Sequence, residues 1–545
     1  MASIAAPSRN VPLKVLDERG IARSRNAPRR AIVLGLIQLL IIVHIGLWLA
    51  GAFGGRTTTP IEPSEAMQTL ERGYVNAGFI FFSLALLSTL VFGRVFCGWG
   101  CHIVMLQDFC GWIMKKCGVR PKPFRSRTLI WVPLAVALYM FVWPTIRRLA
   151  IVPVLERLNS PWLVYFSPTL PWELQNHMIT TDFWQTFPIV MAVPTLLIVG
   201  FAAVYVLGAK GFCTYGCPYG GFFAPLDEFA RGRIIVDPDR CEQCGHCTAT
   251  CTSNVRVHEE VKTYGMVMDS GCMKCMDCIS VCPNDALRYG FAKPAKVEKK
   301  DRPRKQYDFS LVEDILLACL FLLILLAVRG MYLWEGVPFL MAVAVAGIGG
   351  YFVILASRLL RKRFEILRLQ QMKLKWRGRI TAAGWLTLAG VSVFVIFVAQ
   401  AGVVRWHQWR GEIAVRNMAI TTNDVFSFER PPLPDETREL AQRAVAHYSK
   451  TFSIADGGLA LLSDPALAMK RAWPLAVLSE FKLAEQDIRT WVDAVGPSDR
   501  ACTDIMRLMM LDGRTAEAVA YADAVLRAHP DFAAMNLLRS AIEAQ

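Results

Sequence analysis

Eight cysteines between residues 241 and 282 carry the clearest chemistry in the sequence. They fall in two runs, CEQCGHCTATC and CMKCMDCISVC, each spaced C-x2-C-x2-C-x3-C, with 20 residues between them. Thiolates at this spacing hold cubane iron–sulfur clusters, and the fourth cysteine of each run ligates the other cluster. The crossover assigns Cys241, Cys244, Cys247 and Cys282 to one [4Fe–4S] cluster. Cys272, Cys275, Cys278 and Cys251 fall to the second. Zinc is better served by paired C-x2-C elements or mixed Cys/His sets, and disulfides have no use for three cysteines at three-residue steps. The chain is expected to move electrons.

A second constellation lies in VFGRVFCGWGCH and AKGFCTYGCPYGG, which place Cys97 with Cys101 and Cys213 with Cys217. On a continuing helix each C-x3-C pair would share one face, a turn apart. Gly98, Gly100, Gly211, Gly216 and Pro218 favour a turn that wraps backbone close to something bound. Four such thiols form a candidate third centre, whether a cluster, another metal or redox thiols; packing cysteines at helix ends are the plain alternative. Cys110 and Cys117, in DFCGWIMKKCG, are weaker candidates. Cys319 and Cys502 stand alone and read as small packed hydrophobes.

The elements that must position these thiols are membrane helices. The 545 residues are 54% hydrophobic with a mean hydropathy of +0.34. Seven apolar stretches of about 20 residues are expected to span a bilayer: 31–52, 75–96, 128–146, 185–207, 311–329, 335–357 and 380–401. The net charge of +15 comes from Lys and Arg clustered beside these stretches, a pattern of cytoplasmic flanks rather than of nucleic-acid binding. The first stretch is too long for a signal-peptide core. The basic flanks place the amino terminus and the cysteine-rich domain in the reducing cytoplasm of a bacterial inner membrane, with residues 402–545 periplasmic. The fold class is therefore a multi-span α-helical membrane protein with a two-cluster ferredoxin-like domain and an α-helical carboxyl-terminal domain. Its expected parts are a cytoplasmic segment 1–30, a four-span core 31–230, the ferredoxin-like domain 231–292 and a basic linker 293–310. Three further spans occupy 311–401, an irregular periplasmic linker 402–433 and a helical domain 434–545. In the last, Gly513, Ala518 and Pro530 match half of a tetratricopeptide repeat, with a generic helical domain as the alternative. The loop 147–184, with Trp162, Tyr165 and Trp172, reads as an aromatic belt and a candidate cover for a quinone pocket.

FGRVFCGWGCH and GFCTYGCPYG, followed by the tandem four-cysteine domain, resemble the NapH/NosR/CcoG-type membrane polyferredoxins over residues 75–290. The resemblance implies a four-span core with two cytoplasmic clusters, serving electron delivery to respiratory enzymes or their maturation. His102 stands where that group has a proline, which makes it a candidate ligand, proton carrier or turn residue. Thr252 replaces the proline after Cys251 and is expected to change that loop. No C-x-x-C-H is present, so haem is not expected. The leading expectation is an electron-transfer protein, fed by quinol or a cytoplasmic donor, whose residues 434–545 dock a respiratory or periplasmic redox enzyme. The alternatives are an assembly factor that reduces a metal or thiol, and a scaffold stabilised by its clusters.

Overall fold

A computed structural model describes residues 24–543 except 120, 122–124, 161, 167–170, 182–191, 296–306, 330–338 and 428–431. The amino-terminal segment up to residue 23, most of the basic linker and the first residues of spans four and six lie outside the described residues.

Five helices are long and apolar enough to cross a bilayer: Asn26–Leu49, Leu129–Arg157, Leu311–Val328, Phe339–Leu360 and Ala382–Arg416. They make the chain a membrane protein. The expected second and fourth spans are present as shorter apolar helices, Ala77–Phe92 and Val193–Leu207. Sixteen residues of helix rise about 24 Å, short of a hydrocarbon core of about 30 Å. Both helices stop at a glycine with left-handed φ, Gly93 at 68° and Gly208 at 96°. The second span therefore ends before Cys97 and does not carry Cys97 and Cys101 on one continuing helix.

Two other spans run past their expected ends. The third continues through Arg147 and Arg148 to Arg157. It holds two π-helical turns, Leu138–Val142 and Arg147–Ile151, each just ahead of a proline, Pro144 and Pro153. Proline removes a hydrogen bond and crowds the preceding turn, and a widened turn accommodates both. The seventh span runs 35 residues to Arg416, so residues 402–416 are helix and not irregular linker. Between spans six and seven the basic run folds into a three-stranded antiparallel sheet, 367–369, 372–376 and 379–380, which charge patterning did not anticipate. Its buried Lys375 donates to Leu359 O and Arg361 O at 2.9 Å each, satisfying carbonyls at the end of span six.

The loop beyond span three folds back on residues 57–75: Thr57–Thr58 pairs with Ile179–Thr180, and Tyr74–Val75 with Gln175–Asn176. The Trp172 indole N–H donates to Thr69 O at 3.2 Å, and Arg148 lies over its ring.

The carboxyl-terminal domain stacks six helices between Asp435 and Glu543 on an Ala- and Met-rich core that includes Ala444, Ala476, Ile505, Met506 and Met535. Ala414 and Met418, at and beyond the end of the seventh span, belong to the same core. Gly411 lies flat against the Tyr448 ring, where a Cβ would come within 2.9 Å of the ring edge.

The cysteine-rich domain is closed by one antiparallel pair, Gly232–Val236 with Leu287–Phe291, which brings its two ends together. Ile234, Val255, Val257, Val261 and Val267 fill a small core under the cysteine loops.

Candidate iron–sulfur site

The two four-cysteine loops share one backbone design. Gln243 and Gly245 flank Cys244 with positive φ, and Lys274 and Met276 flank Cys275 the same way. Asn254 and Asp285, each three residues past the last cysteine of its run, also have positive φ. The left-handed residue sits two positions beyond Thr252, at the place Asp285 takes two positions beyond Pro283. A non-glycine residue in this region costs about 1 kcal/mol or more and persists where surrounding structure fixes it. Alternating right- and left-handed residues turn successive N–H groups into a concavity suited to an anion, the nest common at Fe–S sites.

Cys241, Cys244, Cys247 and Cys282 line one recess, together with His246, His258 and Pro283. Cys251 lies instead within electrostatic reach of Cys272, Cys275 and Cys278. Each group so contains three thiols from one run and the fourth from the other. Burial pushes the Cys247 thiol up to about 11 and the Cys251 thiol up to about 12. Burial likewise raises Cys275 and Cys278. Such thiols stay protonated at neutral pH unless a metal takes the place of the proton. Four soft donors around an anion-seeking nest fit a thiolate-ligated cubane. Among the described residues, no three His, Cys, Asp or Glu side chains close around a single ion.

The C-x3-C motifs form a second pair of matched turns. Each is a five-residue helix, Val95–Trp99 or Gly211–Tyr215, followed by a glycine and then an extended cysteine that starts the next helix. Gly100 packs against Phe96, and Gly216 against Phe212, with the same 2.9 Å approach for an added Cβ. The turns bring Cys97, Cys101, Cys213 and Cys217 within electrostatic reach of one another. Fully buried Gln107 accepts from the Cys213 thiol through Oε1 at 3.0 Å, while its Nε2–H finds no acceptor among the described residues. An orphaned donor beside four thiols fits a sulfur-rich group at this point. Cys110 does not join them: it packs on Gly200 of the fourth span, in a small cluster with Met114 and Val204. Cys117 is exposed at the end of the helix His102–Lys116, and His102 begins that helix.

Arg94 and Lys210 stand out in the sequence beside the two motifs, but the ion pairs that join these parts do not, because the partners are far apart in the chain. Arg94 and Lys210 each precede the first cysteine of a motif by three residues, and both are buried. Each meets an aspartate from beyond the other motif. The Arg94 amide donates to Asp227 Oδ1 at 3.0 Å, and Lys210 pairs with Asp108. Asp227 is fully buried against Lys274, at 3.0 Å, and Arg233, at 3.8 Å. Arg30 at the start of span one bridges Asp108, at 3.1 Å, and Asp277 of the cysteine domain, at 2.6 Å. These bonds seat the loop 270–277 directly on the first C-x3-C turn. Arg94 donates to Ser270 O at 2.8 Å and Trp99 to Lys274 O at 3.1 Å. Gly98 lies so close that a Cβ would stand 2.3 Å from Met273 O and 3.4 Å from the Cys275 Cα.

Comparison with known proteins gives the same division. A 4Fe-4S dicluster domain model matches residues 233–283, and a 4Fe-4S binding domain model matches twice, at 76–120 and 189–236. The chain carries 4Fe-4S ferredoxin-type domains. The second model covers both C-x3-C turns, so the matched geometry reflects a repeated unit. Relatives are distant. The methylamine utilization ferredoxin-type protein MauN of Methylorubrum extorquens is 24% identical over 43% of this chain and 79% of its own length. The ferredoxin-type protein NapH of Haemophilus influenzae is 23% identical over 45% and 82%. The putative electron transport protein YccM of Escherichia coli is 23% identical over 39% and 55%. No solved structure matches the chain.

Proposed function

We propose that this protein is a membrane-bound electron-transfer protein, with two [4Fe–4S] clusters in residues 231–292 and a third redox centre on Cys97, Cys101, Cys213 and Cys217. The clusters supply one-electron transfer. The observation that carries this reading is the seating of the Cys272–Cys278 loop on Gly98, which puts one four-thiol recess against the thiols at the membrane edge. The other recess is lined by residues of the cysteine domain alone, away from the spans. The chain's own residues hold that order fixed through Arg30, Arg94, Trp99 and Asp227. The basic flanks support a cytoplasmic amino terminus and cysteine domain, and an odd number of spans then puts residues 417–545 in the periplasm. There the stacked helices, with repeat-like residues at Gly513 and Ala518, serve as the docking module for a redox enzyme. The electron donor is a soluble cytoplasmic carrier or a membrane quinol.

Burial of Cys97 and Cys213 favours a resident centre over thiols offered to a metal or a client protein, as an assembly factor would need. Iron and sulfide counts on anaerobically purified full-length protein test this, alongside a Cys213→Ser/Cys217→Ser variant. More than eight irons in the wild type, falling toward eight in the variant, is the expected result. Eight irons in both, with four titratable thiols at the C-x3-C turns, overturns the third centre.

A further inference from the structure

Five buried cations surround the seam between the cysteine domain and the membrane-edge thiols: Arg30, Arg94, Lys210, Arg233 and Lys274. Among the described residues three carboxylates answer them, Asp108, Asp227 and Asp277. The excess is positive and shut away from water, where charge is poorly screened. It lies on one side of the cysteine domain. Lys274, between Cys272 and Cys275, reaches Cys272 O at 3.5 Å. Arg30 lies within electrostatic reach of Cys275 and there opposes the nearer carboxylate of its own partner, Asp277, 2.6 Å from it. Arg125 adds a third cation on this side, held on Asn254 at 2.8 Å. The half-buried acids on its other flank are Asp269 and Glu260. Glu260 is engaged by the N–H groups of Met268 and Asp269, and Asp269 by that of Gly271. The recess of Cys241, Cys244, Cys247 and Cys282 is different. Its charged lining side chains are Arg240 and Glu242, of opposite sign and both exposed.

We infer that Arg30 and Lys274 set the potential of the Cys251/Cys272/Cys275/Cys278 site above that of the Cys241/Cys244/Cys247/Cys282 site, so that reduction is favoured toward the membrane. This rests on the two-cluster reading above. Cluster potential follows net charge, hydrogen bonding to sulfur and exposure. A reduced cluster carries one more negative charge, so a buried cation nearby stabilises the reduced form more than the oxidised one. Arg30 and Lys274 are positioning residues: they fix the loop 270–277 and supply that charge, and neither ligates metal. The slope gives the wire a direction. A one-electron donor meets the distal recess, which opens at the surface of the cysteine domain, and the electron moves inward.

The test is an EPR-monitored redox titration of the full-length protein in detergent, with iron counted in every sample. Cys241→Ser identifies the distal signal by altering it alone. The expected result is a distal midpoint below the proximal one in the wild type. Arg30→Gln and Lys274→Gln should each shift the proximal midpoint down and leave the distal one in place. Arg30→Lys, which keeps the charge if Gln disturbs folding, should restore the wild-type value. A distal midpoint equal to or above the proximal one overturns the inference. So does a pair of Gln variants that retain their iron and leave the proximal midpoint unmoved. Absence of bound iron from the wild type would instead overturn the two-cluster reading itself.

Discussion

Gly98 is the narrowest contact between the cysteine domain and the membrane helices, and Gly98→Ala probes it directly. The added methyl would lie 2.3 Å from a backbone oxygen of Met273 and 3.4 Å from the Cys275 Cα. Ordinary contact begins about 1 Å further out than the first of these. Backbone cannot swing aside as a side-chain tip can, and the loop is also pinned through Ser270, Lys274 and Asp277. Overpacking of this kind costs about 1–3 kcal/mol. At 1.36 kcal/mol per tenfold, the equilibrium for lifting the loop off the turn rises by about 5- to 150-fold. Hydrogen exchange at residues 270–278 should quicken by that factor, with the bound iron unchanged, since no ligand is altered. Gly347→Ala is the control, because nothing lies within 4 Å of a Cβ there. If exchange in 270–278 is the same in Gly98→Ala as in the control, the loop is not seated on the turn as described.

Asp227→Asn removes the carboxylate that faces Lys274 and Arg233 and should destabilise the full chain by about 3–5 kcal/mol, read as a lower midpoint in detergent thermal unfolding. Arg471 makes a bidentate pair with Asp487, both bonds 2.7 Å, and stacks on Phe452, so Arg471→Ala should loosen the carboxyl-terminal helices by a similar amount. Limited proteolysis confined to residues 435–543 is the measurement. His447 titrates below the ordinary histidine range, because it is partly buried and faces Arg410. Its folded form binds fewer protons than its unfolded form, so stability should rise with pH and fall as pH drops through about 6.5. His447→Gln, which leaves its 2.9 Å partner His407 in place, should reduce that dependence in unfolding curves taken between pH 5 and 8.

Spacing and hydropathy made the cysteine motifs and the long spans legible, because thiolate loops are local and a bilayer demands long apolar runs. The eight cysteines of the ferredoxin-like domain and the C-x3-C pairs could be named from consecutive residues. The same holds for all five long helices. What stayed hidden depends on partners distant in sequence. Arg30 meets Asp277 across 247 residues and Lys210 meets Asp108 across 102, and no periodicity records either. The second span ends short of the expected position because Val95 and Phe96 resume the apolar run after Gly93 and Arg94, while the backbone turns at Gly93. The end of the seventh was misplaced for the opposite reason. Beyond Gly402 the sequence turns polar and basic, which looks like an end of the apolar run, yet helix continues because Gly411 and Ala414 find a second core.

That continuity has a mechanical meaning. A helix that is shared by the bilayer and by the tail's own core acts as a shaft, and the tail cannot swivel independently of it. One residue inserted between 402 and 410 would turn everything after it by about 100° and lift it about 1.5 Å. Four would bring the heading back to within about 40° and raise the tail by about 6 Å. Whatever is carried at the far end of this shaft is presented at one azimuth and one height. Length changes in the shaft are therefore a ruler and a protractor for locating it.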